Sequence, residues 1–178
     1  MDGFLDTMDA LSCHGNVKKR RAVLKDPHNG AFAIIYAGVY FIITFAIYYE
    51  LISSGLSSGE LLCIELSHVI ARAIGSYASL VFFKHPAGGS LFTFYDAAAK
   101  RSVVAVAAWG LLSIALCDLG SVYYAVFMFL AMVLCIMYIY IIAKKKFEGM
   151  SGDLAGYIIT VSQVVMLLVP LLISKVSL

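Results

Sequence analysis

Asp2, Asp6 and Asp9 stand four and three residues apart at the start of the chain, in the run Asp2-Gly3-Phe4-Leu5-Asp6-Thr7-Met8-Asp9. If the segment is helical, these positions share one narrow arc, because a turn takes 3.6 residues. Carboxylates held that close repel one another, and a shared divalent cation relieves the repulsion. A solvated acidic face has the same spacing. A fourth acid, Asp153, lies near the other end of the sequence among glycines, in Gly149-Met150-Ser151-Gly152-Asp153-Leu154-Ala155-Gly156. Those glycines let a backbone come close to a phosphate, or simply make a turn.

The elements that must carry these groups belong to a membrane. With 62% hydrophobic and 13% charged residues and a mean hydropathy of +0.92, the chain has far more apolar surface than a soluble core can use. Five segments are long or apolar enough to cross a bilayer, which takes about 20 helical residues. They run over about Ala31–Leu51, Leu61–Phe83, Ser102–Leu116, Tyr123–Ala143 and Leu154–Ile173. The expected fold is all-α, a polytopic membrane helix bundle forming one integral-membrane domain over residues 1–178. Residues 1–30 form its metal-site segment.

Sidedness follows from the cations. Eleven of the thirteen lysines and arginines fall in alternate connections: Lys18, Lys19, Arg20, Arg21 and Lys25, then Lys84, Lys100 and Arg101, then Lys144, Lys145 and Lys146. Cytoplasmic connections collect such residues, so the amino terminus and all four aspartates above belong on the cytoplasmic side. No cleavable signal peptide is visible at the start. Cys13, Cys63, Cys117 and Cys135 lack metal-ligand spacing and read as packing residues. The basic residues line membrane edges rather than one stripe, which argues against nucleic-acid binding.

Arg72 stands well inside the second span, with Glu65 and His68 on nearby faces. An arginine at that depth needs a polar partner. It either offers its planar fork to a pyrophosphate oxygen or pairs with Glu65 and snorkels. Asp26, beside Pro27, reads equally as a ligand or a helix cap.

Together these segments resemble the cobalamin synthase family, the adenosylcobinamide-GDP ribazoletransferases. The resemblance covers the aspartate run and Lys25-Asp26-Pro27-His28-Asn29-Gly30-Ala31-Phe32. It continues through Val69-Ile70-Ala71-Arg72, Phe94-Tyr95-Asp96-Ala97-Ala98-Ala99-Lys100-Arg101 and the Gly149–Gly156 segment, in the family's order. The chain departs from the family pattern at His28, where an arginine is usual, and at Gln163, where many members have glutamate. Family members also carry membrane sequence before the aspartate run, so the chain reads as lacking that portion.

The resemblance implies a Mg²⁺-dependent membrane transferase of a prokaryotic cytoplasmic membrane, with its active site facing the cytoplasm. It would join adenosylcobinamide-GDP to α-ribazole or its 5′-phosphate and release GMP. By the same analogy Asp2, Asp6, Asp9 and Asp153 are metal ligands, Asp6 and Asp9 catalytic groups, and Lys25, Asp26, Arg72, Ser151 and Gly152 substrate contacts. The lipid bilayer is the other partner, and a homo-oligomer is compatible with the sequence. Three alternatives remain: a CDP-alcohol phosphotransferase-like enzyme, a transporter component lined by Glu65, His68 and Arg72, and an inactive fragment.

Overall fold

A computed structural model describes residues 1–26, 28, 30–82 and 100–176, with side chains for all of these but 100 and 101. The matched segment Phe94–Arg101 therefore lies outside the described side chains.

The first helix, α1 (Asp2–Ser12), turns Phe4, Thr7 and Ala10 inward at intervals of three and leaves Asp2 exposed and Asp6 and Asp9 partly so. α2 (Val17–Val23) starts at Asn16, whose side-chain oxygen accepts the Lys19 N–H at 3.1 Å. α3 (Ala31–Ser53) is apolar all round and buries only Ala33, Ile47 and Leu51. That pattern suits a helix whose outer surface meets lipid.

α4 (Ser58–Val81) opens with a reciprocal cap: Ser57 Oγ accepts the Glu60 N–H, and Glu60 Oε2 accepts the Ser57 N–H at 2.7 Å. Two donors that helix geometry would leave orphaned are thereby satisfied. α5 (Lys100–Cys117) and α6 (Val122–Ile142) follow. α6 ends in a π turn, Ala143–Phe147, closed by Glu148 at φ +51°, a left-handed conformation that stops the helix. α7 (Gly152–Val176) completes the chain.

All described elements are helical, as the composition required. Four stretches are long and apolar enough to span a membrane: Ala31–Ser53, Ser58–Val81, Val122–Phe147 and Gly152–Val176. The fifth, Ser102–Cys117, is a shorter apolar helix. The five expected spans thus coincide with α3 to α7, with ends shifted by a few residues.

α7 is the central post. Half of its apolar window is buried, against 11% for α3, and it packs against α1, α3, α4 and α6. Its closest neighbour is α4. A Cβ at Gly75 would run into the Ile159 side chain and come within 3.3 Å of Ala155 O, so the absent side chain is what lets the two helices approach. Deeper in the same contact Gln163 Nε2 donates to Ser67 Oγ at 3.2 Å. At the far end Lys175 pairs with Glu50, tying α7 to α3.

The candidate carboxylate site

The site's corner is built by laying α1 across the start of α7. Gly3 makes this possible. A Cβ there would stand 2.6 Å from Asp153 O and 2.7 Å from Asp153 Cα, which are backbone atoms that cannot swing aside. From the other side, a Cβ on Gly156 would touch Gly3 Cα at 3.4 Å. Gly156, read from sequence as a phosphate-approach residue, is with Gly3 the contact through which two backbones meet. Phe4 supports the crossing by stacking on Tyr157, with ring centroids 6.0 Å apart.

This crossing brings Asp2 and Asp6 to Asp153. Burial pushes the Asp6 carboxyl above its ordinary 3.8, and the negative charges of Asp2, Asp153 and Asp9 push it further in the same direction. Among the described residues, no cationic side chain pairs with Asp2, Asp6, Asp9 or Asp153. Asp2, Asp9 and Asp153 are near enough for their charges to act on Asp6, and no ion pair among the described residues neutralises them.

Asp9 is held differently. Its Oδ2 accepts the Gly30 N–H at 2.5 Å and its Oδ1 accepts the Ala33 N–H at 2.9 Å. A Cβ at Gly30 would sit 2.8 Å from the same carboxylate. Asp9 therefore serves as the remote cap of α3, placing negative charge at a helix amino terminus. Nothing in the spacing of the three aspartates distinguishes Asp9 from the other two. The Lys25–Phe32 segment held the only hint, since Gly30 precedes a long apolar run.

The remaining expected residues are scattered. Ser151 Oγ accepts the Leu154 N–H at 3.3 Å and so caps α7 just before Asp153, and Gly152 faces open space. Both flank the cluster. Lys25 is exposed. Asp26 is exposed too, and its Oδ1 accepts from the His28 N–H at 3.0 Å and approaches His28 Nδ1 at 2.9 Å. These contacts hold the Asp26 carboxyl below its usual value. Arg72 lies on the exposed stripe of α4 and donates to His68 O at 3.1 Å, while His68 Nε2 meets Tyr48 OH at 2.8 Å. No ion pair joins Arg72 to Glu65 among the described residues. The structure thus gathers Asp2, Asp6, Asp9, Ser151, Gly152 and Asp153 at one corner, while Arg72 lies exposed on α4.

A hard divalent cation fits the chemistry of this donor set, which is all oxygen, negatively charged and uncompensated. The protein does not offer a finished cage. Among the described residues, no three of the His, Cys, Asp and Glu side chains stand in a metal-holding arrangement.

The cobalamin-5-phosphate synthase family pattern matches residues 1–171. A relative from Lachnoclostridium phytofermentans, named adenosylcobinamide-GDP ribazoletransferase, is 36% identical over 158 residues, covering 88% of this chain and 59% of its own length. Relatives of the same name from Sulfolobus acidocaldarius and Clostridium botulinum are 34% and 27% identical, covering 95% and 93% of this chain and 62% and 64% of their own lengths. The chain thus spans about three-fifths of the length of these curated relatives. No solved structure matches it.

Proposed function

The chain belongs to the cobalamin-5-phosphate synthase family, and on that premise we propose that it transfers the cobinamide phosphate of adenosylcobinamide-GDP to a hydroxyl of α-ribazole or its 5′-phosphate, releasing GMP. The hydroxyl oxygen forms a new bond to phosphorus, the bond from that phosphorus to the GMP oxygen breaks, and the hydroxyl proton passes to a base. The observation that carries the reading is the meeting of Asp2 and Asp6 with Asp153 across the Gly3 contact.

Asp2 and Asp153 are the groups assigned to hold Mg²⁺. When bound, it would neutralise charge on the phosphoryl oxygens and on the departing phosphate. Asp6 is assigned the hydroxyl proton, because its raised pKa suits a proton acceptor and its carboxylate is not engaged by backbone donors. Asp9 positions the site by fixing α3 to α1. The exposed end of α7 at Gly152, capped by Ser151, offers backbone N–H groups to a phosphate. Lys25 lies on the cytoplasmic side, where its charge attracts an anionic substrate.

The test is direct. Purified chain in a bilayer is supplied with adenosylcobinamide-GDP and α-ribazole, with and without Mg²⁺, and GMP is measured. Release that requires Mg²⁺ and disappears in Asp6→Asn supports the proposal. Release unaffected by the substitution removes it.

A further inference from the structure

We propose that the corner where α2 meets the π turn of residues 143–147 is a phosphate-binding site, recognised by Arg20 and Arg21. The sidedness of membrane proteins accounts for cations on this face, but it would leave them in water. Lys18 and Lys19 behave in that way and are exposed. Arg20 and Arg21 do not: both are partly buried, on the side of α2 that also carries Val17, Val23 and Leu24.

Arg21 is fixed. Its Nε donates to Phe147 O at 2.7 Å, bonding α2 to the π turn. Its Nη2 is buried and stands 3.7 Å from Glu148 Oε2, beyond hydrogen-bonding reach. Arg20 Nε is also buried and has no hydrogen-bond partner. Among the described residues, two adjacent guanidinium groups therefore hold buried donors without acceptors, a situation that opposes burial until an acceptor arrives.

An acceptor bearing several anionic oxygens suits such donors, and phosphate is that acceptor. Lys144, Lys145 and Lys146 are exposed at the same turn and raise the positive potential there. The phosphate has two physical sources at this depth: a soluble phosphorylated compound or the headgroup of an anionic phospholipid. Neither depends on the transferase reading, which stands on the carboxylates.

The experiment uses the whole chain in phosphatidylcholine nanodiscs without divalent cations. Inorganic pyrophosphate is titrated by calorimetry, and in parallel discs doped with phosphatidylglycerol the retained anionic lipid is counted by native mass spectrometry. Pyrophosphate binding in neutral discs identifies a soluble source, and retained phosphatidylglycerol identifies the headgroup. In either arm Arg20→Gln is expected to weaken binding about tenfold, while Lys18→Gln, an outward cation on the same helix, leaves it nearly unchanged. Arg20→Lys keeps the charge and loses the fork, so a several-fold loss is expected there as well, and this variant decides the matter if Arg20→Gln does not fold. Equal losses in Lys18→Gln and Arg20→Gln, full affinity in Arg20→Lys, or no binding in either arm overturns the site.

Discussion

At the end of α1 the Asp9 carboxylate accepts two backbone N–H groups of α3, at 2.5 and 2.9 Å. One turn earlier Asp6 has no such donors among the described residues, and the charges of Asp2, Asp153 and Asp9 act on it instead. The two side chains are chemically identical and share a helix. Their neighbours give them opposite roles: a charge satisfied by a helix terminus builds structure, and a charge left facing other charges stores a demand for a cation or a proton. A residue pattern alone reports that carboxylates are near one another. Whether each is already satisfied depends on what the rest of the chain brings to it.

The largest consequence of this difference should appear at Asp6. Asp6→Asn keeps the shape and removes the charge, and it is expected to lower GMP release by about 10²–10³-fold, the scale of losing one placed electrostatic group. The same change should leave the unfolding temperature level or raise it, since it deletes a carboxylate that burial and three neighbours oppose. Loss of release together with loss of fold would erase the contrast with Asp9.

Gly3→Ala attacks the geometry that creates the contrast. The added methyl would meet Asp153 backbone 2.6 Å away, so α1 must move off α7. Overpacking of this kind costs about 1–3 kcal/mol, and the displacement separates Asp2 and Asp6 from Asp153. Both stability, by chemical denaturation, and GMP release should therefore fall. Gly38→Ala, in α3, where a Cβ likewise meets nothing within 4 Å, is the matched control and should lower neither.

Asp9→Ala should show the reverse of Asp6→Asn, with a loss of stability of about 1–2 kcal/mol from the uncapped α3. Asp9→Asn keeps one acceptor oxygen and should lose less. A fold untouched by Asp9→Ala would mean that the cap contributes nothing.

The sequence made some of this legible and hid the rest for physical reasons. Long apolar runs and cation placement revealed the spans, because bilayer thickness and charge sidedness act on each segment locally. The pairing of the first aspartates with Asp153 was read through family resemblance, and the structure brings the starts of α1 and α7 together at the Gly3–Gly156 contact. The cap role of Asp9 was not legible, because it depends on α1 and α3 meeting, which no local pattern encodes. Arg72 was marked as special by its depth in α4, and its face is set by helix packing, which places it on the exposed stripe. The orphan donors of Arg20 and Arg21 were masked by the positive-inside pattern, which explains the charges without saying which way they point.

The smallest effect, and the sharpest test of the contrast, is the pH dependence of cation binding. Asp6 has a raised pKa in the folded chain. Its contribution to stability is therefore fully present below the ordinary 3.8 and is lost as pH rises through the raised value. Asp26 has a lowered pKa and acts in the opposite sense, losing its contribution only as pH falls below 3.8, so the two windows do not overlap. In the upper window Mg²⁺ should restore what ionised Asp6 removes. At a concentration near its dissociation constant the gain is about 0.4 kcal/mol, read as a rise in unfolding temperature that grows with pH and vanishes once Asp6 is protonated. Asp6→Asn should reduce the growth with pH, leaving the part that Asp2 and Asp153 contribute as the assigned ligands, and Asp9→Asn should retain it in full. If Asp9→Asn instead erases the pH dependence, the demand for a cation resides at the capped carboxylate, and the two ends of α1 have been assigned the wrong way round.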